Sequence, residues 1–154
     1  MRTNQQQSSR RRTGTAIVEF ALAASILIMV LMGIMEFGWL MKYQNQLANA
    51  VREGARKAAF GSYVDTAEDR IRVVAAPLVF PVGEGQIRLE YSTDGGATWI
   101  TLANDAQLSG NTAPTGSIIR VWAQAKYPAL TGFFPYLNSY KLSSTVNVYR
   151  ERHY

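Results

Sequence analysis

An apolar run near the N-terminus constrains this chain more than any other feature. Residues 20–41 make a run of 22 positions with a single charged side chain, that of Glu36. As an α-helix, 22 residues are about 33 Å long, which is enough to cross the roughly 30 Å hydrocarbon core of a bilayer. Trp39 and Lys42 stand where interfacial side chains are common. The run therefore predicts one transmembrane helix over residues 15–41.

A cleaved secretory signal is an alternative, because Ala48-Asn49-Ala50 has the small-x-small form of a cleavage site. The apolar run is longer than the usual core of such a signal, and the site lies well beyond its end. We therefore favour a retained anchor. A buried helix of a soluble protein is the third alternative.

The positive charge of the chain is concentrated before the apolar run. The net charge is +5, and four arginines with no acid before Gly14 supply most of it: Arg2, Arg10, Arg11 and Arg12. The remaining residues carry only +1, which is too little to attract nucleic acid. Because basic residues mark the cytoplasmic side, we expect a cytoplasmic leader over residues 1–14 and a C-terminal domain on the other side of the membrane.

The residue types that most hydrolases and metal sites need are scarce. The chain has no cysteine and one histidine, His153, which excludes thiolate sites and Ser-His-Asp arrangements. Glu19 and Glu36 lie about 25 Å apart along a helix, too far to act as an acid–base pair. We expect no enzymatic activity, no metal or cofactor and no small-molecule substrate.

The position of Glu19 at the start of the apolar helix requires an explanation, because the transfer of a carboxylate into hydrocarbon costs roughly 3 kcal/mol. A cut after Gly14 makes Thr15 the first residue of the mature chain, Glu19 the fifth and Phe20 the sixth. This spacing resembles the processing site of type IV pilin-like proteins, and the Glu-Phe pair is similar to that of the tight-adherence (Flp) pilus system. In a filament, Glu19 can neutralise the α-ammonium of a neighbouring subunit. The alternative is an interfacial glutamate at the N-terminus of its own helix.

Two further stretches resemble the TadE-like family of minor pseudopilins. "GIMEFGWL" (residues 33–40) carries Glu36 as a second acid in the membrane helix. "QLANAVREGARKAA" (residues 46–59) resembles the helical signature of the family, with Leu47, Asn49, Ala50, Arg52, Glu53, Ala55 and Arg56 as its members. The resemblance covers positions 14–60.

The resemblance implies a single-pass protein of the bacterial inner membrane with a periplasmic or extracellular C-terminal domain. A prepilin peptidase would remove the leader. The mature protein would contact pilus subunits and the assembly machinery and assist assembly instead of forming the bulk of the shaft. Incorporation into the pilus and retention in the membrane are both open alternatives. Secretion and cell adhesion are the processes that such a system serves.

Beyond the membrane, the sequence predicts that the helix continues over residues 42–60 and ends at Gly61. Its apolar stripe has i, i+4 spacing and small residues beside it: Tyr43, Leu47, Val51 and Ala55, with Ala50, Gly54 and Ala58. We expect the stripe to pack on the protein's own domain, and a partner-binding helix is the alternative. Arg52, Glu53, Arg56 and Lys57 are predicted to face elsewhere, with Glu53 and Lys57 in the favourable i, i+4 order.

Residues 65–68 ("DTAE") resemble a capping box for a second helix that reaches Ala75 or Ala76 before Pro77. After a linker over residues 78–85 the apolar period becomes two, which is typical of strands. Strands are predicted over residues 86–91, 119–126 and 142–149, with a shorter one over 99–102. We expect an α+β, pilin-like fold in which the long helix covers an antiparallel sheet of three to five strands. The domain boundaries are then 1–14 (leader), 15–41 (membrane helix), 42–76 (helical segment) and 77–154 (β-rich domain).

"STDGGATW" (residues 92–99) resembles the Asp-box hairpin of sialidase propellers. Ser92, Asp94, Gly96 and Trp99 are members of the pattern; in this interpretation Asp94-Gly95-Gly96 supplies a positive-φ turn and Trp99 packs back against the hairpin. One such box in a short chain predicts a structural hairpin without catalysis. A bound sugar or calcium ion is the alternative.

"PALTGFFPYLNSY" (residues 128–140) concentrates four aromatic side chains in a segment broken by proline and glycine. We expect these aromatics to fill the core under the helix. The alternative is an exposed aromatic lip that contacts another subunit or the membrane surface. The tail over residues 150–154 is predicted to be solvated.

Three functions remain open on the sequence alone. A minor pilin-like assembly component is favoured. The second is an unprocessed single-pass anchor that presents the β-domain to an envelope complex. The third is a membrane-tethered carbohydrate-binding module, suggested by the Asp-box hairpin and the aromatic residues.

Overall fold

One long helix dominates the N-terminal part of the chain. The computed structural model describes residues 5–80, 86–107 and 110–151, with the backbone alone for residues 5–13 and 138. Helix α1 runs over Gln5–Ala59 without interruption, which agrees with the absence of proline from this stretch. It therefore includes residues 5–14, which the sequence assigns to the leader. The chain divides into two units, one ending at Gly38 and the other beginning at Trp39.

Among the described residues, one helical stretch is long and apolar enough to cross a membrane, Gly14–Ala59. Within it, the side chains of the predicted membrane helix are largely exposed, as shown by Phe20 at 74% and Ile26 at 65%. An apolar surface of this size in water is unfavourable.

Gly61 ends α1 as predicted. Its φ of +87° is a conformation that favours glycine. The N–H of Gly61 donates to the carbonyl oxygen of Ala58 at 2.9 Å, and the N–H of Ser62 donates to that of Lys57 at 3.1 Å. These two bonds form a Schellman motif, which satisfies carbonyl groups that the helix leaves without a partner.

Helix α2 spans Val64–Ala75, as the sequence predicts, but the predicted capping box is wrong. Tyr63 is the N-cap residue and makes no side-chain capping bond, so Asp65 lies inside the first turn. The Oδ1 atom of Asn104 instead accepts from the Val64 N–H at 2.6 Å. A residue about 40 positions away thus replaces the local cap.

The second half of the chain forms two small antiparallel sheets. The larger has the order β2-β1-β5-β6 and the smaller pairs β3 with β4. The strands are β1 (Ile87–Ser92), β2 (Ile100–Thr101), β3 (Asn104–Asp105), β4 (Gly110–Asn111), β5 (Ile118–Lys126) and β6 (Lys141–Tyr149). The predicted α+β class and the predicted strands are confirmed. Of the predicted linker, residues 81–85 lie outside the described part, whereas Leu78 is buried in the core.

The core of the C-terminal unit lies between the helices and one face of the larger sheet. From α1 it takes the small-residue stripe, including Tyr43, Leu47, Val51 and Ala55. From β5 it takes every second residue, Ile119, Val121, Ala123 and Ala125, all with no exposed surface. Helix α2 adds Ala67, Ile71 and Ala75. The stripe therefore packs on the protein's own domain.

Candidate functional site

The two acidic residues of the apolar helix lie in different surroundings. Glu19 is exposed, as are the residues around it. Glu36 is only 2% exposed, although its neighbours Met35 and Phe37 are 54% and 61% exposed, and it is held by an interaction within the chain. On one continuous helix their separation is about 25 Å, so the structure does not bring them together.

The helical segment that resembles the family signature is divided between the core and the surface. Leu47, Val51 and Ala55 are completely buried. Arg52 and Arg56 are exposed. Arg52 donates to Oδ1 of Asn49 at 3.1 Å, and the Arg56 guanidinium lies 5.8 Å from the ring centre of Phe60. The two arginines thus stay available on the outer side of α1.

Glu53 forms a salt bridge with Arg70 of α2 at 3.4 Å. This contact joins the two helices, whereas the sequence predicts that Glu53 pairs with Lys57 within α1. An open groove of about 680 Å³ lies between α1 and α2. Its lining combines basic, acidic and aromatic side chains: Arg56, Lys57, Arg70, Glu53, Asp69 and Phe60. Both sides of the groove are solvated, and the surface is of mixed charge.

The Asp-box segment forms a self-contained hairpin between β1 and β2. The Ser92 hydroxyl donates to Oδ1 of Asp94 at 2.6 Å and accepts from the Gly96 N–H at 2.8 Å. Oδ1 of Asp94 also accepts from the N–H groups of Ala97 and Thr98, and Oδ2 accepts from the Thr98 hydroxyl at 2.6 Å. Both carboxylate oxygens are therefore used within the turn. These bonds hold the pKa of Asp94 well below its ordinary value, and the bond from the Ser92 hydroxyl is the largest cause.

Trp99 lies against its own hairpin on one side and is covered by an arginine on the other. A Cβ added at Gly96 would be 3.4 Å from Cζ2 of Trp99. The Arg120 guanidinium lies 3.9 Å from the Trp99 ring centre and bonds Oε2 of Glu90 through Nε at 2.9 Å. A sugar that stacks on Trp99 would have to displace this guanidinium, so the arrangement is that of a structural hairpin.

The aromatic segment is mostly exposed, and the expectation that it fills the core is wrong for three of its four aromatic residues. Phe133, Tyr136 and Tyr140 are 56%, 91% and 49% exposed. Phe134 is half-buried and meets Phe133 edge to face at 5.4 Å. Of the apolar side chains described in this segment, those of Leu137 and Ala129 pack against the core. Gly132 has a φ of +62° and a 3-10 helix spans Pro135–Ser139, so the strand alternation that turns every second side chain towards the core does not continue through this segment.

Two residues that bond to the end of α1 are not identified by any pattern in the sequence. Asn111 is fully buried, and its Nδ2 donates to the carbonyl oxygens of Ala58 and Ser62. Arg150 was assigned to a solvated tail, which is wrong: its Nη1 donates to the carbonyl oxygen of Ala59 at 2.9 Å. Residues 152–154 of that tail lie outside the described part. No spacing pattern marks either residue, because each acts on a helix end far away in the sequence.

Within the described ranges, no group of three or more His, Cys, Asp or Glu side chains is placed to hold a metal ion. In a comparison with known protein families, residues 14–56 match the family described as TadE-like protein. Neither the curated proteins nor the solved structures contain a match. The expected resemblance is confirmed for this N-terminal part of the chain.

Proposed function

Residues 14–56 are consistent with a TadE-like protein of the tight-adherence pilus system, and from this premise we propose that the chain is a minor pilin-like component that assists pilus assembly. It acts through helix packing and subunit contacts and carries out no reaction. The observation that carries the proposal is the joint presence of the TadE-like segment and an apolar helix most of whose large apolar side chains between residues 17 and 37 are exposed.

An exposed apolar helix needs either lipid or other helices around it. Phe20, Leu22 and Ile26 are each more than 60% exposed, and they lie on a helix that is long enough to span a bilayer. The same side chains can pack against neighbouring subunits when the protein leaves the membrane. The four arginines before Gly14 support an inner-membrane location with a cytoplasmic N-terminus.

Processing at Gly14 is the second part of the proposal. The family match begins at Gly14 and does not include the basic leader. The Gly14–Thr15 bond lies inside α1, so a prepilin peptidase must unwind the helix locally to cut it. Glycine lowers that cost, since it destabilises a helix interior by about 1 kcal/mol relative to alanine.

After the cut, the new α-ammonium of Thr15 lies about one helical turn from Glu19. Glu19 is exposed, so it can reach the α-ammonium of an adjacent subunit. Pairing of the two charges makes their burial in a filament tolerable. The exposed Arg52 and Arg56 supply further positions for contacts with pilus subunits or the assembly machinery.

Among the described residues, the Asp-box hairpin does not favour the carbohydrate-binding alternative, because Trp99 and both oxygens of Asp94 are occupied within the domain. The unprocessed anchor differs from our proposal in the fate of the leader and in its role, which is to present the β-domain to an envelope complex. Deletion of the gene in the native host tests the role in pilus assembly. We expect far fewer surface pili and recovery with the wild-type gene. Unchanged piliation would contradict the proposal.

A further inference from the structure

The larger sheet runs alongside the extracytoplasmic part of α1, and its two ends lie at different heights. At one end, the N–H of Glu151 donates to the carbonyl oxygen of Ala59 at 3.1 Å. At the other end, Nε1 of Trp39 donates to the carbonyl oxygen of Pro128 at 3.1 Å. Since Trp39 lies near the end of the apolar run, the connection between β5 and β6 is at the end of the sheet nearest the membrane.

Residues 128–140 make up this connection, here called the aromatic loop. It contains no charged residue, and its apolar side chains point outward: Leu130, Phe133, Tyr136 and Tyr140 are 42–91% exposed. The loop is nonetheless fixed in place. Leu137 packs on the core, Tyr127 before the loop is 1% exposed, and the Tyr127 N–H donates to the carbonyl oxygen of Tyr140 at 3.0 Å. Large exposed aromatics on an anchored segment mark a contact surface.

Lysines surround the base of the loop. Lys126 and Lys141 stand directly opposite each other in the β5–β6 register, and both are exposed. Like charges in this position repel and destabilise the pair. Lys42 of α1 lies with its Nζ 4.4 Å from the ring centre of Trp39, whose Nε1 donates to the carbonyl oxygen of Pro128 at the start of the loop. Residues 112–150 contain no acidic residue. A negatively charged surface would relieve the repulsion.

We propose that the aromatic loop inserts into the headgroup region of an anionic bilayer. Phe133 and Tyr136 enter the interface, where aromatic side chains are favoured. Lys42, Lys126 and Lys141 contact lipid phosphates, each worth about fivefold in association with an anionic surface. The domain is thereby held against the membrane from which its helix emerges. This inference depends on the membrane anchorage in the proposed function.

The chain has no cysteine, so a single label can be introduced cleanly. Full-length Tyr136→Cys is labelled with a fluorescent probe and reconstituted into phosphatidylcholine vesicles with or without phosphatidylglycerol. Each vesicle type is prepared with and without lipids that carry a nitroxide on the headgroup, and the nitroxide quenches a probe that lies at the membrane surface. Tyr149→Cys is the matched control, because Tyr149 is 70% exposed at the opposite end of the sheet. We expect several-fold stronger quenching at position 136 than at 149, and stronger quenching in the anionic vesicles.

The lysines are tested in the labelled Tyr136→Cys protein. Lys126→Gln with Lys141→Gln should remove the effect of phosphatidylglycerol, whereas Lys57→Gln, at the far end of α1, should leave it intact. Equal quenching at 136 and 149 in a protein that resists carbonate extraction would overturn the inference and leave the anchorage standing. Extraction of the protein by carbonate would instead contradict the anchorage. The label at position 136 could instead become shielded from solvent as the protein-to-lipid ratio rises, with no effect of anionic lipid. That result would show a contact between copies of the protein and would also overturn the inference.

Discussion

The Nδ2 atom of Asn111 lies 2.9 Å from the carbonyl oxygen of Ala58 in the last turn of α1. The same nitrogen donates to the carbonyl oxygen of Ser62 at 2.8 Å, and Oδ1 accepts from the Ala113 N–H at 3.2 Å. One buried amide therefore satisfies two carbonyl groups at a helix end and one N–H of the following loop. The smaller sheet is held to α1 by these bonds.

The first prediction concerns this amide. Asn111→Ala removes the Nδ2 donor from the carbonyl oxygen of Ser62 and leaves that of Ala58 with the Gly61 N–H, and we expect the free energy of unfolding to fall by about 1–3 kcal/mol. Urea unfolding of the detergent-solubilised protein, followed by circular dichroism, measures the change. Asn147→Ala on the exposed face of β6 is the control and should have little effect. A loss no larger than in the control would show that the buried bonds are not important for stability.

The second prediction concerns the close approach of the two helices. A Cβ added at Gly54 would lie 2.6 Å from Cδ1 of Ile71 and 3.1 Å from the carbonyl oxygen of Ala67. Gly54→Ala should therefore lower stability by about 1–3 kcal/mol through overpacking, although alanine is the better helix former. Gly38→Ala, where the added methyl group meets no atom within 4 Å, should cause no loss. Equal melting temperatures for both variants would contradict the packing.

The third prediction concerns pH. The bonds from Ser92 and Thr98 hold the pKa of Asp94 below its ordinary value of 3.8. A carboxyl with a lowered folded-state pKa stabilises the fold above the unfolded-state pKa, and this contribution is lost as pH falls towards the folded-state pKa. The stability difference between wild type and Asp94→Asn should be constant from neutral pH down to about 5 and shrink below about 4.

Carboxyl NMR shifts give an independent measurement of the Asp94 titration. Thr98→Val removes the hydroxyl that donates to Oδ2 of Asp94, so the pKa of Asp94 should rise towards the ordinary value. If the titration of Asp94 does not move, this hydroxyl does not contribute to the shift.

The fourth prediction concerns Glu19. Glu19→Ala and Glu19→Gln should insert into the membrane normally but enter or support pili poorly, because neither can neutralise an α-ammonium. Glu19→Asp keeps the charge and should retain part of the function. Quantitative immunoblots of sheared pili and of membranes separate the two steps. Normal pili with Glu19→Gln would show that the charge is not needed.

Patterns of short range made most of the fold predictable. The period of two in Ile119, Val121 and Ala123 marks β5, and a glycine after the apolar stripe marks the end of α1. The bonds that Asn111 and Asn104 make to the ends of α1 and α2 were not predictable, because these two residues lie 53 and 40 positions away from the groups they contact. The exposure of Phe133 and Tyr136 also depends on where the sheet ends, which composition does not reveal. The N-terminal part of the candidate site, with Gly14, Glu19 and Glu36, was easier to predict because it is defined by the spacing of residues that are close in sequence.

The mass of the mature protein tests the central claim most directly. The protein is extracted from membranes of the native host, and its N-terminal peptide is identified by mass spectrometry. A chain that begins at Thr15 is the predicted result, since pilin-like processing releases the α-ammonium that Glu19 is positioned to neutralise. A chain that still begins at Met1 or Arg2 would contradict the account.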